Sequence, residues 1–142
     1  MYLTDRPIDL AALLGEPRSS DGAVCVFVGV VRNESEGRET VAIEYEAYAP
    51  MAESELAHIV ASLPFVWPSA SVRICHRVGR LEVGEASVAI VVTAPHREDA
   101  FAACRQAIEN IKEWVPIWKR EIRADGSSEW VAPKHLDTIA GR

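Results

Sequence analysis

Residues 23–48, AVCVFVGVVRNESEGRETVAIEYEAY, decide the fold class. The opening run is apolar and rich in valine, with no charge before Arg32. Such a run predicts a strand over 23–32 that is buried on both faces. Gly29 within it predicts a bulge or a close backbone approach. Residues 33–38 are polar and contain Gly37, the composition of a turn. From 40 to 48 the chain alternates, with Val41, Ile43 and Tyr45 on one face and Glu44 and Glu46 on the other. That is the period of a half-buried strand, and the short connection predicts an antiparallel hairpin between the two.

Outward from this stretch the elements are mixed. Asp5 and Pro7 mark a helix start and Gly15 its end, predicting a short helix over 8–14. Leu56, Ile59, Val60 and Leu63 recur at helical spacing, so residues 51–63 form an amphipathic helix that Pro64 and Pro68 end. Residues 71–78 and 86–94 read as strands separated by a turn through Gly79 and Gly84. A helix follows from about 97 to 114, with Phe101, Cys104, Ile108 and Ile111 as its apolar stripe. A short strand comes after Pro116, then a turn at Asp125–Gly126 and a last strand around 129–131. Hairpins with helices on one face give an α+β fold, a mainly antiparallel sheet with helices packed on it. At 142 residues the chain is one domain over 1–142, with the last ~10 residues loosely held.

The formal net charge of -6 argues against a general nucleic-acid binder. Cys25, Cys75 and Cys104 are odd in number and form no CxxC pair, so neither a disulfide framework nor a zinc site is implied. The N-terminus has the pattern of no signal peptide, and no apolar run is long enough for a membrane span. A cytoplasmic protein is expected.

Chemistry concentrates in residues 111–121, IKEWVPIWKRE. Pro116 has no N–H and pushes Val115 toward an extended backbone, so one helix cannot span the segment. A helix then delivers Lys112 near its C-terminal end and an extended segment carries Lys119. Two amines approaching one place beside aromatic walls suit an anionic, planar ligand. Arg32 stands at a strand end, and Pro95-His96-Arg97 opens a helix whose N-terminal N–H groups favour anions. Each of these residues alone has an ordinary structural explanation. His76 and Arg77 point to opposite faces of one strand, which reads as structural.

Taken in order, the segments resemble a known family. They are FVGVVR at 27–32, YEAY at 45–48 with Met51-Ala52, HRVG at 76–79, and APHR at 94–97 with Ala100-Phe101. Lys112, VPIWKRE at 115–121 and Trp130-Val131 complete the series. The set covers roughly residues 20 to 132 and is similar to the large, catalytic subunit of molybdopterin synthase. The resemblance implies a sulfurtransferase of molybdenum cofactor biosynthesis acting on cyclic pyranopterin monophosphate (precursor Z). Sulfur would arrive as a thiocarboxylate on the C-terminal Gly-Gly of a small ubiquitin-like partner. A dimerisation surface and a 2+2 heterotetramer are also implied, with no metal or bound organic cofactor needed for sulfur transfer. By the family match Lys119 and Lys112 are catalytic, Arg32, His96 and Arg97 bind phosphate and pterin, and Arg120 and Glu121 lie close by. Val30 stands where some relatives carry a basic residue. Two other readings compete: a non-catalytic adaptor for a ubiquitin-like Gly-Gly tail, and a small acyl- or phosphate-processing enzyme. The second lacks any Gly-rich phosphate loop or nucleophile elbow in the sequence.

Overall fold

The computed structural model of the chain describes residues 1–134; most of the C-terminal stretch expected to be loosely held lies outside them. The elements in chain order are β1 (Leu3–Thr4), α1 (Leu10–Leu14), β2 (Ala23–Val30), β3 (Glu34–Ser35), β4 (Arg38–Ala47) and α2 (Ala49–Val66). They continue as β5 (Ser71–Arg77), β6 (Gly79–Glu82), β7 (Ala86–Ala94), α3 (Arg97–Trp114), β8 (Ile117–Arg123) and β9 (Ser128–Val131). One sheet runs β1-β5-β7-β2, and the other runs β3-β4-β8-β9 with β6 also paired to β4. The fold is α+β, as expected. Only β1 and β5 pair in parallel among the described strands. No helix among the described residues is long and apolar enough to cross a membrane.

The main core lies between the first sheet and the helices α2 and α3. Leu56, Ile59 and Leu63 of α2 meet Val72 and Ile74 of β5, Val88, Ile90 and Val92 of β7, and Ala103, Ala107 and Ile111 of α3. Full burial of each large side chain is worth roughly 1.5–3 kcal/mol over exposure. A smaller cluster of Val31, Ile43 and Leu81, with Tyr45 against it, sits by the second sheet.

Several expectations are corrected. Residues 23–30 pair with β7, not with β4, which belongs to the other sheet. The tight turn does form, but it joins β4 to the two-residue β3. Glu36 (φ 53°) and Gly37 (φ 75°) sit between the paired Ser35 and Arg38, the two left-handed positions of a short hairpin turn. β2 is also not buried on both faces. It lies at a sheet edge, with Ala23 and Cys25 against the core and Val24, Val26 and Val30 exposed.

α1 starts at Leu10, because Asp9 rather than Asp5 caps it by accepting the Ala12 N–H. α2 runs through Pro64 to Val66; the proline falls in the last turn, where the buried Leu63 anchors the helix and accepts the Trp67 N–H. The buried stripe of α3 is Ala100, Ala103, Cys104, Ala107 and Ile111, leaving Phe101 63% exposed. The segment read as a turn through Gly79 and Gly84 contains a further strand, β6, paired with β4. Gly29 behaves as expected: the β2–β7 register shifts after it, and a Cβ there would lie 2.9 Å from Val88 Cγ1.

Candidate functional site

Val115 is extended (φ −79°, ψ 128°), and Pro116 is buried between α3 and β8. The break turns the chain so that Lys112, in the last turn of α3, and Lys119, on β8, line one cavity of about 380 Å³. Its wall also includes Tyr45 of β4, His76 of β5, Ser87 and Val88 of β7, Val131 at the end of β9, and Ala132 to Lys134 beyond it. Three amines therefore open on one space, a setting for negative charge.

Tyr45 and Lys119 are direct partners on the β4–β8 ladder. The Tyr45 ring meets His76 edge-on, with centroids 5.2 Å apart and an interplanar angle of 77°. Burial pushes the Tyr45 phenol up, its hydrogen bond with Ser87 lowers it, and the charge of Glu121 adds to the rise. The Ser87 hydroxyl in turn donates to the Gly29 carbonyl at 3.2 Å. His76 is 6% exposed, and its Nδ1 lies 2.8 Å from the Arg77 carbonyl oxygen. Burial holds its imidazole at a pKa of about 4, partly offset by that carbonyl, and the Lys112 charge pushes the same way as burial.

His76 and Arg77 do point to opposite faces of β5, and only His76 borders the cavity. Arg77 is the structural member, paired with Glu85 at 2.7 Å. The available signal was the alternation in β5, where Val72, Ile74 and His76 share the buried face. A histidine closing such a row faces whatever the sheet covers. Lys134 was missed as well, because it follows the last strand and has no periodicity to place it.

The other expected site residues are distributed elsewhere within the chain. His96 and Arg97 border a separate depression with Gly22, Pro95 and Glu98. His96 is the N-cap of α3 without a side-chain capping bond, and Glu98 and Asp99 already place acids in the first turn. Arg32 lines a third depression with Val30, Asn33 and Gly84. Arg120 is bound to Glu44 at 2.6 Å and lies over the Trp130 ring at 4.9 Å. Alternation along β8 turns it away from the Lys119 face, whereas Glu121 shares that face. Trp118 and Trp130 line a further hollow with Glu46, Ala47 and Tyr48.

Similarity to known proteins adds to this geometry. The family model described as MoaE protein matches residues 3–114. A molybdopterin synthase catalytic subunit of Nostoc is 49% identical over 115 residues, 80% of this chain and 70% of that protein. The one from Bacillus subtilis is 44% identical over 139 residues, 97% of this chain and 87% of that one. The crystal structure of molybdopterin synthase from Staphylococcus aureus superposes with a TM-score of 0.87 at 43% identity, covering 92% of this chain and 95% of the other. A match across most of the length in sequence and in fold makes this chain a member of the MoaE protein family.

Proposed function

We propose that this chain is the catalytic subunit of a molybdopterin synthase, which transfers sulfur to precursor Z and forms the dithiolene of molybdopterin. The convergence of Lys112 and Lys119 on one cavity, from a helix end and a strand, carries the reading. Membership of the MoaE family supports it. The sulfur donor is a small ubiquitin-like subunit with a C-terminal Gly-Gly thiocarboxylate. The thiocarboxylate sulfur attacks a substrate carbon, forming a carbon–sulfur bond as an oxygen leaves. Water then cleaves the acyl–sulfur bond, freeing the partner as its carboxylate and leaving sulfur on the substrate; a second thiocarboxylated partner repeats both steps to supply the other dithiolene sulfur. Lys119 gives a proton to the departing oxygen or stabilises its charge, with Lys112 in support.

Arg32, His96 and Arg97 bind phosphate and pterin in this reading. Since they lie outside the lysine cavity of their own chain, a second copy supplies them across a homodimer, within a 2+2 heterotetramer. The exposed edge strand β2, with Val24, Val26 and Val30 open, is consistent with such a surface. A single domain over 1–142 and a cytoplasmic setting belong to the same reading.

Reconstitution tests it: this chain, the thiocarboxylated partner and precursor Z, assayed for dithiolene product. Product is expected, falling at least about 100-fold with Lys119→Ala while both ligands still bind. Complex formation without product would favour the Gly-Gly tail adaptor instead.

A further inference from the structure

The lysine cavity is supplied mainly with donors. Lys112, Lys119 and Lys134 offer only N–H groups, because an ammonium has no lone pair to give. One buried side chain in the wall is obliged to do the opposite. His76 Nδ1 faces the Arg77 carbonyl oxygen at 2.8 Å, and a carbonyl can only accept. Nδ1 therefore carries the hydrogen, and Nε2 of the neutral ring is left as a lone pair. The Tyr45 ring packs nearly perpendicular to the imidazole.

Among the described residues no protein group pairs with Nε2, although the side chain is more than nine-tenths buried and borders the cavity. Nε2 is not one of the fully enclosed unpartnered atoms of the described residues, so it opens on the cavity, where a donor of a bound ligand can take the place of water. The low pKa of this ring keeps the acceptor available throughout the neutral range.

We propose that His76 is a substrate-binding residue whose Nε2 accepts a hydrogen bond from an N–H or O–H donor of the ligand in the lysine cavity. The site then reads two features of one molecule. Amines hold its anionic or electron-rich oxygens, and His76 requires a donor on the part that reaches the cavity floor. A heterocycle bearing ring or exocyclic N–H groups meets that requirement, whereas a simple phosphate ester or carboxylate does not. The inference rests on the synthase reading and deepens it, because the ligand used is precursor Z.

Two substitutions separate binding from structure. Asn at 76 keeps an N–H for the Arg77 carbonyl and removes the acceptor at the Nε2 position. Gln at 76 carries its amide oxygen out to about that position. Calorimetric titration of precursor Z into the assembled complex is expected to give roughly tenfold weaker binding for His76→Asn, the worth of one hydrogen bond. Partner affinity should stay near that of the parent, and His76→Gln should recover part of the loss. Histidine ¹⁵N spectra of the unsubstituted protein give a check that needs no variant. They should show the Nδ1–H form, with the Nε2 resonance moving when precursor Z is added and unmoved by inorganic phosphate.

Unchanged affinity in the Asn variant, or an Nε2 resonance indifferent to bound precursor Z, would overturn the proposal. If both variants unfold, the spectra alone decide. Failure of the unsubstituted complex to bind precursor Z would instead sink the synthase reading.

Discussion

Tyr45 and Lys119 face each other across the β4–β8 ladder, and Tyr45 carries the line of contact on to His76. Directly opposed residues share a face of the sheet, so one ladder position brings a phenol, an amine and a buried imidazole to one wall. The consequence is that site and stability are coupled here. The same burial that shapes the cavity shifts the protonation of His76.

The pH dependence of stability follows from that coupling. The folded pKa of His76, about 4, lies below its ordinary 6.5, so the unfolded chain binds the proton first. Its contribution is fully present above 6.5 and is lost as pH falls from 6.5 toward 4. The loss is on the order of 3 kcal/mol by linkage. Asp21 and Asp125, held down to about 2 by Arg18 and by Ser127 respectively, add a second decline between 3.8 and 2. Urea titrations across this range should show both steps. A non-titrating residue at 76 should flatten the upper one, and a persisting upper step would assign it to another group.

Gly22 is predicted to be a position that tolerates no side chain. Its N–H donates to the Ala94 carbonyl at 3.0 Å, and a Cβ would fall on the Pro95 carbonyl oxygen. Backbone cannot swing aside as a flexible side chain does. Gly22→Ala is expected to cost about 1–3 kcal/mol by overpacking. It should also displace His96 and Arg97, which share the depression with Gly22, and so weaken anion binding. Chemical denaturation and titration with the substrate measure the two effects separately. Parent-like values in both would show that the segment shifts at no cost.

Cysteine chemistry gives a third test. Burial pushes the Cys104 thiol up to about 12, and the neighbouring Cys25 thiol adds to the rise. Cys104 lies in the main core and Cys25 packs against it. Cys104 should resist alkylation by iodoacetamide at pH 8 in the folded protein and react on unfolding, since the thiolate is the nucleophile. Rapid labelling of folded protein would show that α3 opens away from β2. Replacing all three cysteines by alanine should leave sulfur transfer intact, because the sulfur comes from the partner in the proposed reaction.

Residue patterns in the sequence were enough to determine those features that depend on neighbours a few positions away. Residues 86–94 and 97–114 are a strand and a helix with the bounds expected of them, because β-branched runs and helical spacing act locally. Pro116 breaks the chain through its own ring, whatever surrounds it. The ordered motifs identified the family, and the helix-then-strand delivery of Lys112 and Lys119 followed from the same proline.

Strand partners were another matter. Residues 23–30 present the same alternation whether β4 or β7 lies beside them, and packing against α2 and α3 selected β7. Only that choice places β4 in the second sheet, sets Tyr45 against Lys119, and carries His76 into the cavity wall. It also sends Arg32, His96 and Arg97 to separate depressions of one chain. Side-chain period is a property of a single strand, whereas ladder pairing is settled by which distant surfaces bury one another.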